Sequence, residues 1–220
     1  MPLRTFNLPA LQTADPDLKK EIVNSILHCL GILFGIISIP VLLFSAIKVD
    51  STAKIIGTGV YGLSFLMVFT FSTLYHGSQH KKWKQRFKIL DYISIYYLIA
   101  GTYTPFILIY QHNRFGLGLL AVLWTLTVIG TVFKLFFCGR WEIFSTIIYF
   151  LMGWSMLVGG FSFFAPMPAT VVTMIVAGGI LYSLGVIFFL WEKYFYSHAV
   201  WHSLVLLAAI CHYTAVLLSV

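Results

Sequence analysis

The sequence predicts an all-α integral membrane protein with seven transmembrane helices, its N-terminus in the cytoplasm and its C-terminus outside. Three observations support this fold class: 60% of the 220 residues are apolar, only 10% are charged, and the mean hydropathy is +0.91. Soluble domains carry about 25% charged and about 45–50% apolar residues. The composition therefore excludes a soluble globular enzyme, and it also excludes a disordered chain, which needs low hydrophobicity and high charge.

Seven apolar stretches follow one another along the chain, and each is near or above the roughly 20 residues that span a bilayer. A polar tail, residues 1–21, precedes a transmembrane domain over residues 22–220. Because the stretches do not alternate in polarity, they are not β-barrel strands. The predicted spans cover about residues 22–47, 55–75, 89–110, 115–137, 143–165, 169–190 and 198–219.

Proline and glycine distinguish individual spans. The first and third contain Pro40 and Pro105 near their ends, where a proline can kink a helix that its neighbours support. Glycine recurs in the second, fifth and sixth spans, which permits close helix packing. These residues are Gly57, Gly59, Gly62, Gly159, Gly160, Gly178 and Gly179.

Basic residues set the predicted orientation. Of the 14 lysine and arginine residues, all but Lys48, Lys54 and Arg114 fall on the same side as the N-terminus. The positive-inside rule places that side in the cytoplasm. The richest segment is the predicted second loop, which indicates contact with anionic lipid head groups rather than with nucleic acid. It contains Lys81, Lys82, Lys84, Arg86 and Lys88.

Ionisable residues occur at the ends of three spans, where they are candidates for function. His76 closes the second span, Asp91 opens the third, and His198 and His202 lie one turn apart at the start of the seventh. The predicted orientation brings all four to a similar depth in the cytoplasmic leaflet. Three imidazoles and a carboxylate suit Zn²⁺, which in catalytic sites takes three protein ligands and a water.

Each of these residues has a predicted role and a simpler alternative. Asp91 is either a direct ligand or the group that holds and deprotonates a metal-bound water. Ser72, one turn deeper than His76, could orient a neighbouring group or a substrate oxygen. The alternative for the histidines is that they form hydrogen bonds in the core or extend to the interface.

Two further polar features have mainly structural interpretations. Glu21, Asn24 and His28 form a stripe on one face of the first span, and either a second coordination shell or capping and packing would explain them. His212 lies about 15 Å beyond His202 along the helix. It is too distant to share the same ion and is predicted to bond to a backbone or hydroxyl group.

Four motifs in order resemble the bacterial hemolysin III family: KEIVNSILHCLG, FSTLYH, LDYISIYYLIAGTYTPF and SHAVWH. That family is similar to the progestin and adipoQ receptors, including the adiponectin receptors, and is grouped with alkaline ceramidases in a proposed superfamily of membrane hydrolases. The resemblance implies a multi-pass protein of the bacterial plasma (inner) membrane. It also implies a Zn²⁺ site with His76, His198 and His202 as ligands, Asp91 bound through water, and Ser72 as the serine of the second motif.

Three functions follow from these observations. The first is zinc-dependent hydrolysis of a lipid amide or ester, with a place in membrane lipid homeostasis. The second is a non-enzymatic membrane sensor or regulator in which zinc is structural. The third is a cytolytic pore-former, which the uniformly apolar spans disfavour because they offer no charged stripe to line a wide aqueous channel.

Overall fold

The computed structural model describes residues 15–191 and 195–220, and within this part of the chain the regular structure is helical throughout. A 3₁₀ turn, Ser155–Gly159, joins α5 to α6. The α-helices are α1 (Pro16–Lys48), α2 (Thr52–Gly77), α3 (Lys81–Tyr110), α4 (Arg114–Phe137), α5 (Glu142–Gly153), α6 (Gly160–Phe164), α7 (Ala169–Leu190) and α8 (Ser197–Leu217).

Six of these helices, α1–α4, α7 and α8, are long and apolar enough to cross a membrane. The segment from α5 to α6 is a seventh candidate, although it is bent by 41°. The all-α membrane class is therefore confirmed, with six or seven candidate spans among the described residues.

The fifth predicted span, residues 143–165, is a broken helix rather than a continuous one. The break follows Gly153, and the segment resumes at Gly160, whose φ is +55°. Glycine adopts positive φ without steric cost, which allows the chain to pass from the 3₁₀ turn into α6 there. The bend of 41° itself lies between Gly153 and Ser155. Hydropathy depends only on composition and does not detect such a break.

Two helices, α1 and α3, begin six and eight residues before their predicted spans. α1 begins at Pro16 rather than at residue 22, because Asp15 accepts a hydrogen bond from the backbone N–H of Asp17 and Pro16 suits the first turn. α3 begins at Lys81, so the basic segment predicted as a loop forms the first turns of a helix. Residues 1–14 of the predicted tail, and Lys193, lie outside the described residues.

The core sits between α2, α3 and their neighbours, where small residues allow close approach. A Cβ added to Gly57 would lie 2.7 Å from the Cα of Pro105, so α2 and α3 are in backbone contact at that point. Tyr61, Phe65 and Phe69 of α2 are fully buried against its other neighbours: Phe65 and Phe69 pack against glycines of α1, and the Tyr61 hydroxyl donates to a backbone oxygen of α8. Large apolar side chains are exposed around the bundle, as expected where a protein meets lipid. These include Ile37, Val128, Phe136, Val158 and Phe161.

Candidate metal centre

Four histidines from three helices meet at one end of the bundle. α1 contributes His28, α2 contributes His76, and α8 contributes His198 and His202. His202 is central to the group: its Nε2 lies 3.1 Å from the Nε2 of His76, and its Nδ1 lies 2.7 Å from the Nε2 of His28. The prediction that His76 and His202 lie close together is therefore confirmed.

The histidines with ring nitrogens close enough to share a metal ion are His28, His76 and His202, all of them buried. Within this group the ligand atoms lie within 4.8 Å of one another. His198 is half-buried beside them, with its ring centroid 4.4 Å from that of His202 and 5.5 Å from that of His76. The structure thus adds His28 to the cluster, which sequence analysis had left between two interpretations.

α1 supplies a hydrogen-bond partner to both of the central histidines. Glu21 accepts a hydrogen bond from the Nδ1 of His76 at 2.9 Å and is itself paired with Lys84, also at 2.9 Å. His28 contacts the Nδ1 of His202. Partners of this kind fix the tautomer and orientation of an imidazole that binds a metal through its other nitrogen.

The tautomers that these contacts require suit a metal ion. A carboxylate only accepts hydrogen bonds, so His76 carries its proton on Nδ1 and presents a lone pair at Nε2. That lone pair faces the Nε2 of His202 at 3.1 Å. Two imidazole nitrogens bound to one tetrahedral zinc ion lie roughly 3.3 Å apart, given Zn–N bonds of about 2.0–2.1 Å. The donor set and its spacing therefore fit zinc.

Two buried polar atoms beside the cluster are unpaired among the described residues. The Nδ1 of His28 and the Oδ1 of Asn24 have no hydrogen-bond partner within residues 15–191 and 195–220. If His202 presents a lone pair at Nε2, its Nδ1–H donates to His28, which then carries a proton on its own Nδ1. That tautomer places a donor one helical turn from the unpaired acceptor of Asn24.

Asp91 and Ser72 lie beside the histidines. Both are buried, and the Ser72 side chain interacts with the Asp91 carboxylate, which is also within electrostatic reach of His76. Both residues line the cavity onto which His28, His198 and His202 face. The residues expected from the sequence to form the site therefore all lie at the same end of the bundle.

A mainly apolar cavity of about 200 Å³ extends from this end into the bundle. It passes between α3, α5, α7 and α8, and its deeper wall includes Met156, Phe163 and His212. The distance from His202 to His212 along α8 is about 15 Å. The Nε2 of His212 lies 3.2 Å from the backbone oxygen of Ile175, which confirms its predicted hydrogen bond to a backbone group. The cavity thus extends about 15 Å from the histidine cluster, and its lining is mainly apolar.

Comparison with known families identifies the family of this chain. The family described as "Haemolysin-III related" matches residues 17–213. The chain belongs to the hemolysin III family. The match includes all four motifs and every residue of the histidine cluster.

Individual relatives of this hemolysin III protein agree with that assignment. Hemolysin-3 of Bacillus cereus is 42% identical over 189 residues, which cover 86% of each chain. A Hemolysin-3 homolog of Bacillus subtilis (strain 168) is 40% identical over 86% of this chain and 89% of the relative. The human monocyte to macrophage differentiation factor is 27% identical over 71% of this chain and 67% of its own. No solved structure matches the chain significantly.

Proposed function

We propose that this protein is a zinc-dependent hydrolase of the membrane interior that cleaves a lipid amide or ester and thereby acts in membrane lipid homeostasis. The observation that carries the proposal is that a cluster of four histidines, with Asp91 and Ser72 beside it, lies at one end of a mainly apolar cavity. Such a cavity suits an acyl chain, and its polar end suits the bond by which that chain is attached.

The zinc ligands in this proposal are His76, His198 and His202. His28 belongs to the group whose ring nitrogens lie within 4.8 Å of one another. Its Nε2 contacts the Nδ1 of His202 rather than the Nε2 that faces His76, so this proposal gives His28 the role of orienting His202. The two nitrogens of an imidazole point in divergent directions, so the Nε2 of His28 does not reach an ion bound at the Nε2 of His202. His198 lies one turn before His202 on the same helix face and completes the set.

A zinc ion held there would supply a Lewis acid that polarises a carbonyl group and acidifies water. Asp91 positions the attacking water and accepts its proton as general base. Ser72 holds the Asp91 side chain in place from α2. Glu21 and His28 orient His76 and His202, and the cavity excludes bulk water while it binds the chain of the lipid.

The orientation inferred from lysine and arginine places this chemistry in the cytoplasmic leaflet. The N-terminus is in the cytoplasm, and the C-terminus is outside the bacterial plasma (inner) membrane. At this depth lipid head groups join their acyl chains, which is the position of lipid amide and ester bonds. The basic first turns of α3 lie on the same side, where they would contact anionic head groups.

A regulator with structural zinc is the second candidate, and the position of His28 favours it. Four histidines within one cluster could bind the ion with no position left for water, as in structural zinc sites. Cytolysis has no comparable support, because the cavity is mainly apolar and of about 200 Å³ rather than a wide aqueous channel.

Metal analysis combined with lipid turnover tests the proposal. Purified wild-type protein should contain about one zinc per chain, and the double variant His198→Ala/His202→Ala should contain none. His212→Gln is a matched control, since it alters a buried histidine of the same helix outside the cluster. Full zinc occupancy in the double variant would exclude this ligand set.

Asp91→Asn separates the enzyme from the regulator. The variant should keep its zinc, because the three histidines remain, and should lose hydrolysis of ceramide-like or phospholipid substrates by about 10²–10⁴-fold. The assay is release of fatty acid by wild type, Asp91→Asn and metal-stripped protein. If wild type shows no turnover above the metal-stripped control across a broad lipid panel, the regulator becomes the better assignment.

A further inference from the structure

A further charged group, a lysine, faces the cavity, and the proposed hydrolysis does not use it. Lys134 lies in the last turn of α4, and its side chain is only 1% exposed. It lines the same cavity as Asp91 and the histidines. A lysine buried within a membrane span is costly, and such residues usually belong to a functional site.

The surroundings of Lys134 leave its charge without an anion. Its Nζ lies over the ring of Tyr92, 4.7 Å from the centroid, and the Nζ of Lys88 lies over the same ring at 5.3 Å. The nearby carboxylate of Glu142 is already engaged, because it accepts a hydrogen bond from Tyr92 and pairs with Lys88, both at 3.2 Å. In residues 15–191 and 195–220, Lys134 forms no ion pair with a carboxylate.

The local charge balance therefore favours a bound anion. Two ammonium groups flank the ring of Tyr92, and only the carboxylate of Glu142 pairs with either of them. A buried ammonium is stabilised when a negatively charged oxygen pairs with it. The cation–π contact with Tyr92 compensates part of its lost hydration and leaves its hydrogens available to a ligand in the cavity.

We propose that Lys134 binds the anionic end group of an amphiphile whose hydrocarbon chain occupies the cavity. The chemistry required is a negatively charged oxygen group, either the carboxylate of a fatty acid or the phosphate of a lipid head group. The carboxylate source rests on the proposed function, since a fatty acid is the acid product of lipid amide or ester hydrolysis. Binding itself requires no turnover.

The test measures binding of three probes with the same chain: laurate, dodecyl phosphate and dodecanol. The full-length protein is placed in nanodiscs of neutral phosphatidylcholine, and the dissociation constant is measured for each probe. Lys134→Met removes the charge at similar length, and Lys134→Arg retains it. Lys48→Met is the matched control, because Lys48 also lies in the last turn of a helix and over an aromatic ring, that of Phe44, but is exposed.

We expect wild type to bind laurate or dodecyl phosphate more tightly than dodecanol. Lys134→Met should weaken binding of the anionic probe roughly 10–100-fold, the usual effect of losing one charge-assisted hydrogen bond. Binding of dodecanol should change little, Lys134→Arg should restore most of the affinity, and Lys48→Met should behave as wild type. Stronger binding of laurate identifies a fatty acid carboxylate as the ligand, whereas stronger binding of dodecyl phosphate identifies the phosphate of a lipid head group.

Zinc content and melting temperature are measured for every variant, so that loss of metal or of fold is not mistaken for loss of the anion site. Repeating the titration after chelation removes any contribution of the metal to anion binding. Equal affinity of wild type for dodecanol and both anions would overturn the proposal without use of any variant. Unchanged anion binding by folded Lys134→Met would overturn it as well. Neither result depends on whether lipid is hydrolysed.

Discussion

Replacement of His28 by alanine tests how α1 acts on the metal site. The change removes the 2.7 Å contact between His28 and the Nδ1 of His202 and leaves a buried imidazole nitrogen without its partner. A lost buried hydrogen bond of this kind costs about 1–3 kcal/mol. That corresponds to a zinc dissociation constant raised roughly 5–150-fold, which agrees with the usual effect of about 10–100-fold for residues that orient a ligand.

The assay is competition for zinc between the purified protein and a chelator of known affinity. His28→Gln is the conservative variant, because an amide at this position can still bond to the Nδ1 of His202 and should restore part of the affinity. His212→Gln controls for the loss of a buried histidine elsewhere. His76→Ala gives the effect of removing a direct ligand, which should be far larger than that of His28→Ala.

Two results would refute the reasoning. If His28→Ala binds zinc as tightly as wild type while it remains folded, the contact with His202 has no influence on the metal. If His28→Ala loses as much affinity as His76→Ala and His198→Ala loses little, then His28 is itself a ligand and His198 is not. The second result would also favour structural zinc, because the ligand set would then be the one that is most deeply buried.

Three further predictions concern the topology, the packing and the metal. Reporter fusions should place the N-terminus in the cytoplasm and the C-terminus outside; a cytoplasmic C-terminal reporter on a folded protein contradicts this. Gly57→Ala should destabilise the protein by about 1–3 kcal/mol, because its Cβ would lie 2.7 Å from the Cα of Pro105. Gly118→Ala, which has open space around it, is the control in thermal unfolding, and equal melting temperatures would argue against the α2–α3 contact. Zinc at 100 times its dissociation constant should stabilise the folded protein by about 2.7 kcal/mol, so a chelator that leaves the melting temperature unchanged would show that the native state binds no zinc.

Hydropathy and spacing predicted most of the bundle, and the exceptions have physical reasons. The basic segment from Lys81 to Lys88 was assigned to a loop because hydropathy reports affinity for lipid, whereas lysine, arginine and glutamine are good helix formers in water. The break after Gly153 escaped detection because the residues on both sides are equally apolar.

At the candidate site as well, some residues could be predicted from the sequence and others could not. His76, Asp91 and His202 could be grouped from the sequence because each lies near the end of a span, and span order then determines their depth. The role of His28 could not be derived in this way. Its contact with His202 depends on how α1 is rotated and packed against α8, which hydropathy does not encode. The available signal was the spacing of Glu21, Asn24 and His28 on one face, which was equally compatible with simple packing.

The position of the cluster along the chain has a consequence for biosynthesis. His76 and His202 contact each other although 126 residues separate them, and α8 leaves the ribosome after the other described helices. A nascent chain that has inserted every earlier helix still lacks half of the central histidine pair. If zinc binds as proposed, its uptake follows the docking of α8, so the bound metal would distinguish a chain in which α8 has docked from misassembled copies.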